Sequence, residues 1–401
     1  MINLSKRKEI DFIIVTIFVL IQICHLLVVL STCGIQLWIF SVQYRPLFLI
    51  ICLILSVVSI LRSNIKFDYC FLSFLIFFAY IMIRIFASGG NVTNVLIASI
   101  WIPILLGASR TLSQKNETYK YIFSISAMFN IIFSFIYILI LTNVLQSTAN
   151  TAFKVNFIYY SIVLLPFSIF SNRKILRITS IFLTLLSVFI SIKLGAAIIV
   201  FSIITICALF KGESKLKNGL IFFFVGIILV LIVVILENTI NLSLVEKFLN
   251  IDESGGSGRY EIFYNSLSFF SNFSFSQKVF GAGYDASFSL MGINCHNDFI
   301  ETLFDYGIFG LLLLLISFGI LIKKIFSFGL TRKNKSIALS CILCFLILMS
   351  LSNFIYIESY ILTMSFMIGY CSSMQLKGDS IILYKKYVDP NYKIYSCLEG
   401  K

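Results

Sequence analysis

Charged residues are scarce in this chain, and their scarcity excludes most classes of protein at once. Only 12% of the 401 residues are Asp, Glu, Lys or Arg, whereas 59% are hydrophobic. A mean hydropathy of +0.99 exceeds what a water-soluble domain can carry on its surface. Prolines number only four, and the long apolar runs lack the alternating polarity of outer-membrane barrel strands. The composition therefore predicts an all-α, polytopic integral membrane protein.

Apolar runs recur along the chain, and most are long enough for a helix to cross a hydrocarbon core about 30 Å thick. The first run is too long for a signal-peptide core and has no small-residue cleavage pattern behind it, so we expect it to stay as an anchor. We predict twelve transmembrane helices with both termini in the cytoplasm. They lie near 11–32, 46–61, 68–87, 94–109, 121–143, 157–171, 178–192, 194–210, 218–236, 302–322, 337–352 and 355–374.

This threading divides the chain into four regions. A membrane region of about nine spans, 1–236, is followed by a large periplasmic loop, 237–301. Three further spans occupy 302–374, and a cytoplasmic tail occupies 375–401. Long loops with few charges and many aromatic residues are usually functional when they are ordered. The loop is therefore the candidate working surface.

A net charge of +13 is typical of proteins that bind nucleic acid, but the placement of the basic residues argues against such a partner. The predicted cytoplasmic segments hold 24 of the 31 Lys and Arg residues, spread over short separate loops. Such a distribution follows the positive-inside rule and forms no continuous basic patch. The basicity reflects topology, and we expect membrane lipids rather than nucleic acid as partners.

Metal-binding patterns are also missing. The ten cysteines lie mostly inside apolar runs without paired ligand spacing, and no acidic pair has metal spacing, so we expect no metal and no cofactor. Cys341 and Cys344 form a CxxC inside the apolar run CILCFLILM, where packing is the more common role.

Only two histidines occur, and their surroundings differ. His25 lies inside the first span, in QICHLLVVL, and is expected to pack between helices. His296 ends the external loop and is followed by Asn297, which can cap a helix whose N-terminus would face a bound ligand. In that helix Asn297, Glu301 and Asp305 are spaced by four and share one face. An imidazole beside a polar face at a membrane surface suggests a site.

Four cations add positive charge on the same side. Arg259 follows the glycine joint SGGSG and could either snorkel into head groups or bind a phosphorylated ligand. Lys193 interrupts an apolar run, which makes it a functional candidate, although a turn lysine reaching water is the alternative. Lys154 and Arg84 could contribute further charge. Such a set suits a lipid-linked pyrophosphate, because Lys and Arg neutralise phosphate and histidine can move a proton.

Three segments in fixed order carry a family resemblance. SGR at 257–259, FGAGYD at 280–285 and HNDFIETLFDYGIFG at 296–310 together resemble the O-antigen polymerase and O-antigen ligase superfamily of bacterial envelopes. His296 and Gly307, with ten residues between them, are similar to the family's external-loop motif. SIKLGAA at 191–197 is similar to the family's serine, arginine and small-residue turn, with Lys193 in place of the arginine. The detailed similarity covers roughly 60 residues.

The resemblance implies a metal-independent, inverting glycosyltransferase that acts on undecaprenyl-pyrophosphate-linked oligosaccharides at the periplasmic face of the inner membrane. Arg259 would hold the pyrophosphate, with Lys193 assisting, and His296 would be the general base or orient the acceptor hydroxyl. The candidate substrate-binding residues are Lys193, Lys154, Asn297, Glu301 and Tyr284. The glycines implied to shape the loop are Gly281, Gly283 and Gly307. A protein that regulates chain length is an implied partner.

Two alternatives remain open. A ligase of the same superfamily would move the finished glycan onto lipid A core, and the motifs do not separate the two acceptors; the Ile, Phe, Asn and Lys bias favours the polymerase. A flippase for lipid-linked oligosaccharides could also have twelve spans, but it predicts two similar halves and a charged central cavity. Here one external loop is much larger than the others, and no internal repeat is visible.

Overall fold

The computed structural model describes residues 4–35, 45–62, 69–89, 116–145, 156–191, 193–211, 259–326, 332–351 and positions 363, 366, 367 and 369. Within these ranges the regular structure is helical, which confirms the all-α prediction. The helices are α1 (Leu4–Thr32), α2 (Arg45–Arg62), α3 (Tyr69–Ala87), α4 (Asn116–Leu141), α5 (Ile158–Ser168), α6 (Lys174–Ser191), α7 (Leu194–Lys211), α8 (Arg259–Ser271), α9 (Phe275–Phe280), α10 (Ala286–Met291), α11 (Asp298–Phe326) and α12 (Arg332–Leu351).

Six of these helices are long and apolar enough to cross a membrane: α1 from Phe12, α3, α4 from Lys120, α6, α11 and α12. Ile158–Ser168 and Gly195–Cys207 are shorter apolar helices. The helical bundle therefore belongs to a multi-pass membrane protein. The predicted spans at 94–109 and 218–236, nearly all of 355–374, and Lys154 lie outside the described residues. The count of twelve spans stays a prediction.

A polar junction inside the bundle joins α4, α5 and α6. Asn130 of α4 is fully buried and donates its Nδ2 to the carbonyl oxygen of Ser161 in α5, at 2.6 Å. The hydroxyls of Ser180 and Thr184 in α6 both donate to Asn130 Oδ1, at 2.9 Å each. Because lipid tails are as apolar as leucine side chains, such interhelical hydrogen bonds help to fix which helices pair.

Basic residues gather at one end of the bundle. Lys174 begins α6, Lys211 ends α7, and α11 has Lys323 and Lys324 in its last turn. The ammonium group of Lys333, near the start of α12, lies 5.9 Å from the ring centroid of Phe170, just after α5. The opposite end carries the C-termini of α3 and α12, the N-termini of α5 and α7, and helices α8–α10. This asymmetry agrees with the positive-inside pattern.

The packing roles expected for His25 and the CxxC are confirmed. His25 is 3% exposed, with its ring centroid 5.7 Å from that of Tyr160 and 6.4 Å from that of Phe133. Cys341 and Cys344 are both 1% exposed in the largest core cluster. These groups lie inside the helix packing, away from the surfaces where a substrate could bind.

Candidate functional site

The loop helices dock on the first part of α11. Asn297 caps this helix, because its Oδ1 accepts the backbone N–H groups of Phe299 at 3.0 Å and Ile300 at 3.2 Å, as the sequence predicted. Gly307, with φ 70° and ψ −174°, interrupts the helix. The segment 298–306 is thereby separated from the long apolar segment 308–326. Helices α9 and α10 both pack against α11.

Glu301 holds the turn that carries His296. Its side chain is 1% exposed. Its Oε1 accepts the backbone N–H of Cys295 at 2.6 Å, and its Oε2 accepts the hydroxyl of Ser287 in α10. Both oxygens are therefore engaged with the protein, which gives Glu301 a positioning role in place of the substrate contact implied by the resemblance. Its place on one face with Asn297 follows the predicted spacing, but that face turns inward.

Asp305 holds the start of α10 in the same way. It is fully buried, and its two carboxylate oxygens accept the backbone N–H groups of Asp285 at 3.1 Å and Ala286 at 2.9 Å. Asp285 itself adopts a left-handed conformation with φ 59°. Burial raises the pKa of the Asp285 carboxyl above its ordinary value. The acidic face predicted to meet a ligand thus organises the loop backbone.

Side chains in the C-terminal half of α3 form hydrogen bonds with the backbone around the FGAGYD segment. The hydroxyl of Tyr80 lies within hydrogen-bonding distance of the carbonyl oxygens of Phe280 (3.1 Å) and Tyr306 (3.0 Å). Arg84 Nη2 donates to the carbonyl oxygen of Gly281 at 2.9 Å, so this cation holds a loop carbonyl. Tyr284 is half-buried, and its backbone N–H lies 3.4 Å from the Ser88 hydroxyl.

Gly281 and Gly307 approach each other so closely that neither position has room for a side chain. A Cβ on Gly307 would lie 2.3 Å from the carbonyl oxygen of Val279 and 2.5 Å from the nitrogen of Gly281. A Cβ on Gly281 would lie 2.1 Å from the carbonyl oxygen of Asp305. Both glycines also have positive φ angles, of 70° and 86°. The backbone at both positions therefore requires glycine.

His296 is exposed at the end of this organised loop. It has φ 52°, a left-handed conformation that is uncommon outside glycine but is adopted by asparagine, aspartate and histidine more often than by other residues. The preceding Cys295 is buried, and burial, reinforced by the Glu301 carboxylate, raises the pKa of its thiol to about 12. The thiol therefore stays protonated at neutral pH and is a poor nucleophile. The exposed titratable group of this turn is the imidazole.

The end of α12 connects the turn of His296 with that of Lys193. Asn297 Nδ2 donates to the carbonyl oxygen of Ser350 at 3.2 Å. Leu351, which follows Ser350, packs closely against Gly195. Its Cδ1 lies 2.9 Å from the position that a Cβ on Gly195 would occupy. Gly195 is two residues from Lys193, at the start of α7. Two segments that are about 100 residues apart in the sequence thus meet at one end of the bundle.

Lys193 is half-buried with its cation directed at polar and aromatic partners. Its Nζ donates to Asn156 Oδ1 at 2.5 Å and lies 5.3 Å from the ring centroid of Tyr159. A cation–π contact of this kind is worth about 0.5–2 kcal/mol, depending on how far the cation is desolvated. Asn156 and Tyr159 lie at the start of α5. The position of this ammonium group is therefore set by the C-terminus of α6 and the N-termini of α5 and α7.

Two of the predicted site residues, Arg259 and Lys154, are described only in part or not at all. Arg259 is the first residue of α8, and its side chain lies outside the described part, as does all of Lys154. The partners that sequence reasoning missed are Ser287 for Glu301, Tyr80 for the loop carbonyls and Asn156 for Lys193. Each pair is distant in the sequence, and no local spacing signals it. Among the described residues, no group of three or more His, Cys, Asp or Glu could hold a metal ion.

Comparisons with known proteins leave the family open. No protein-family model matches the chain, and no curated protein matches it. The assignment of an activity therefore depends on the residues themselves.

Proposed function

We propose that the chain is a glycosyltransferase that joins undecaprenyl-pyrophosphate-linked oligosaccharide repeat units into a polysaccharide at the periplasmic face of the inner membrane. The observation that carries this proposal is the meeting of the His296 turn and the Lys193 turn across the end of α12. That end of the bundle is opposite to the basic one. The motif resemblance of 257–259, 280–285 and 296–310 supplies the choice of substrate.

The proposed chemistry uses His296 as the base and Lys193 and Arg259 as the cations that bind the pyrophosphate. Neutral His296 takes the proton from a hydroxyl of the acceptor sugar, and that oxygen attacks the donor's anomeric carbon from the face opposite the leaving group. The new glycosidic bond forms as the bond between the anomeric carbon and the pyrophosphate oxygen breaks. Undecaprenyl pyrophosphate leaves with the electron pair, and Lys193 and Arg259 offset its charge. The anomeric configuration is inverted.

The separate locations of Lys193 and His296 support separate binding sites for the donor and acceptor substrates. Lys193 lies in the turn between two apolar helices, and in this proposal its cation binds the donor's pyrophosphate. His296 is exposed next to Asn297, whose side chain donates to the carbonyl oxygen of Ser350. The donor's phosphates would lie against the bundle, and the acceptor would enter from the loop.

Complementation of a deletion strain tests the proposal. Wild type, His296→Ala and Arg259→Ala are expressed at matched levels, with Lys323→Ala as a control that removes a cation at the opposite end of the bundle. We expect wild type and Lys323→Ala to restore a ladder of surface glycans and both site variants to leave core bearing one repeat. Polymer that accumulates on the lipid carrier in the deletion strain would favour a ligase. Repeats that never cross the membrane would favour a flippase.

A further inference from the structure

A cavity opens between α8 and the segment that runs from α10 toward His296. Its volume is about 510 Å³, and its lining includes Glu261, Asn265, Phe269, Leu290, Met291 and Ile293. Pockets for small ligands usually measure about 300–1,000 Å³. The cavity is therefore large enough for one or two sugar rings. It lies in the loop region, before the long helix α11 begins.

One wall of the cavity comes from α8 and combines Ile262 with a polar and aromatic stripe. Glu261, Asn265 and Phe269 are spaced by four, so they lie one above the other on one face of the helix. A carboxylate accepts hydroxyl protons, a carboxamide both donates and accepts, and a phenyl ring packs on apolar C–H groups. A sugar ring presents both of these surfaces, with hydroxyls around its edge and C–H groups on its face.

The opposite wall is apolar and comes from Leu290, Met291 and Ile293. An acyl chain could touch this wall, but it would take water from Glu261 and Asn265 without replacing their hydrogen bonds, which is unfavourable. A phosphate group would be repelled by the Glu261 carboxylate. A neutral, hydroxyl-rich ligand with an apolar face fits both walls.

The cavity is tied to the candidate catalytic turn. Ser266 of α8 is buried, and its hydroxyl donates to Cys295 Sγ at 3.3 Å. Ile293 precedes His296 by three residues, and Arg259 precedes Glu261 by two. A ligand in the cavity therefore lies beside the segment that carries the proposed base.

We propose that this cavity binds the non-reducing terminal sugar of the acceptor. The assignment rests on the proposed function, and it deepens it by separating the two substrates. The acceptor's non-reducing end is the part farthest from its own pyrophosphate, so the negative charge of Glu261 does not oppose its binding. The donor's anomeric carbon is attached to pyrophosphate until the acceptor attacks, and the cations position the donor through that pyrophosphate.

The test measures sugar binding and acceptor use separately on the full chain in lipid nanodiscs. The binding probe is the lipid-free, single-repeat oligosaccharide released by mild acid from the parent strain's surface glycan. The variants are Phe269→Ala and Glu261→Gln, and Phe275→Ala is the control because Phe275 is 84% exposed and does not line the cavity. We expect each cavity variant to weaken binding about fivefold or more, and Phe275→Ala to leave it unchanged.

Activity assays distinguish the cavity proposal from the proposed function. With lipid-linked repeat units, the cavity variants should raise the KM for the acceptor about fivefold or more while kcat changes little. Unchanged binding and unchanged KM in both variants, with an active wild type, would overturn the cavity proposal and leave the function standing. Sugar binding that the cavity variants weaken, without polymerisation by any protein, would support a saccharide site and overturn the function.

Two further outcomes overturn the cavity proposal directly. One is a wild-type protein that binds no oligosaccharide. The other is a co-purifying acyl lipid, seen by native mass spectrometry, that is lost specifically in Phe269→Ala. Thermal unfolding of each variant serves as the folding control, since Glu261 and Phe269 are exposed side chains whose removal should leave the midpoint unchanged.

Discussion

The buried carboxylate of Glu301 accepts the backbone N–H of Cys295, with 2.6 Å between Oε1 and the nitrogen, and so fixes the residue next to His296. Its second oxygen accepts the Ser287 hydroxyl, which joins the same turn to α10. The position of the exposed imidazole thus depends on a carboxylate that is itself hidden. Asp305 does the same for the start of α10. The two carboxylates differ in the donors that they face.

Replacing Glu301 tests the positioning role. In Glu301→Gln the amide oxygen can still accept the Cys295 N–H, and the Ser287 hydroxyl can rotate to accept from the new amide group. In Glu301→Ala both donors lose their partner at a cost of about 1–3 kcal/mol each. We expect Gln to retain most of the thermal stability and activity, and Ala to lower both, in unfolding and polymerisation assays. Equal loss in the two variants would argue against this role.

Asp305→Asn should be less tolerated than Glu301→Gln. Both oxygens of Asp305 face backbone N–H donors, which cannot reverse, so the new amide group of asparagine would point at a second donor. We expect faster hydrogen exchange at Asp285 and Ala286 and a larger fall in the unfolding midpoint. Measuring both variants at matched pH and detergent makes the comparison. A midpoint for Asp305→Asn at or above that of Glu301→Gln would contradict it.

Gly307→Ala should disrupt the site because an added Cβ meets backbone atoms at 2.3–2.5 Å and the φ of 70° is strained for alanine. The backbone conformation at Gly307, with φ 70° and ψ −174°, is essentially restricted to glycine and costs another residue about 1–3 kcal/mol, and the contacts add to it. Gly319→Ala is the matched control in the same helix, since nothing lies within 4 Å of its added Cβ. We expect little folded, active protein for Gly307→Ala and wild-type behaviour for Gly319→Ala, judged by size-exclusion yield and ladder formation.

Asp285→Asn should stabilise the protein at neutral pH. Burial raises the folded-state pKa of Asp285, so the folded protein binds this proton more tightly than the unfolded chain does. For a carboxyl with a raised pKa, the destabilisation grows as pH rises from the unfolded-state value of 3.8 through the folded pKa, and it is absent at lower pH. Asparagine also tolerates the left-handed conformation at φ 59°.

The expected signature is a pH-dependent difference in the unfolding midpoint. Asp285→Asn should unfold at a higher temperature than wild type at pH 7, and the difference should shrink as the pH is lowered toward 4. A constant difference across that range would show that the titration of Asp285 is not its cause.

Local patterns in the sequence were enough for some features and insufficient for others. The cap at Asn297 follows from residue type and position, because capping is a local property. The role of Gly307 was implied by the family resemblance, and the backbone atoms of Val279 and Gly281 that require glycine there are contacts that local patterns do not predict. The spacing of Glu301 and Asp305 predicted that they share one face of the helix, but it did not predict which neighbouring element covers that face. Their partners Ser287 and Ala286 come from α10, and only tertiary packing reveals them.

The same limit applies to the cations. Lys193 was predicted from its depth in an apolar run, whereas its contacts with Asn156 and Tyr159 depend on how α5 packs against α7. Arg84 was expected to add positive charge to a site, and its bond to the carbonyl of Gly281 shows that it also holds the loop. Hydropathy predicts how deep such residues lie in the membrane, but it does not predict which residues they contact.

The most direct test of the central claim uses purified protein in vesicles, a lipid-pyrophosphate-linked repeat unit and EDTA. His296→Asn is the key variant, because asparagine keeps the left-handed backbone of φ 52° while removing the base. The account predicts that wild type forms a glycan ladder with release of undecaprenyl pyrophosphate, and that His296→Asn is slower by about 100-fold or more. A wild-type rate in His296→Asn, or no product from wild type, would contradict it.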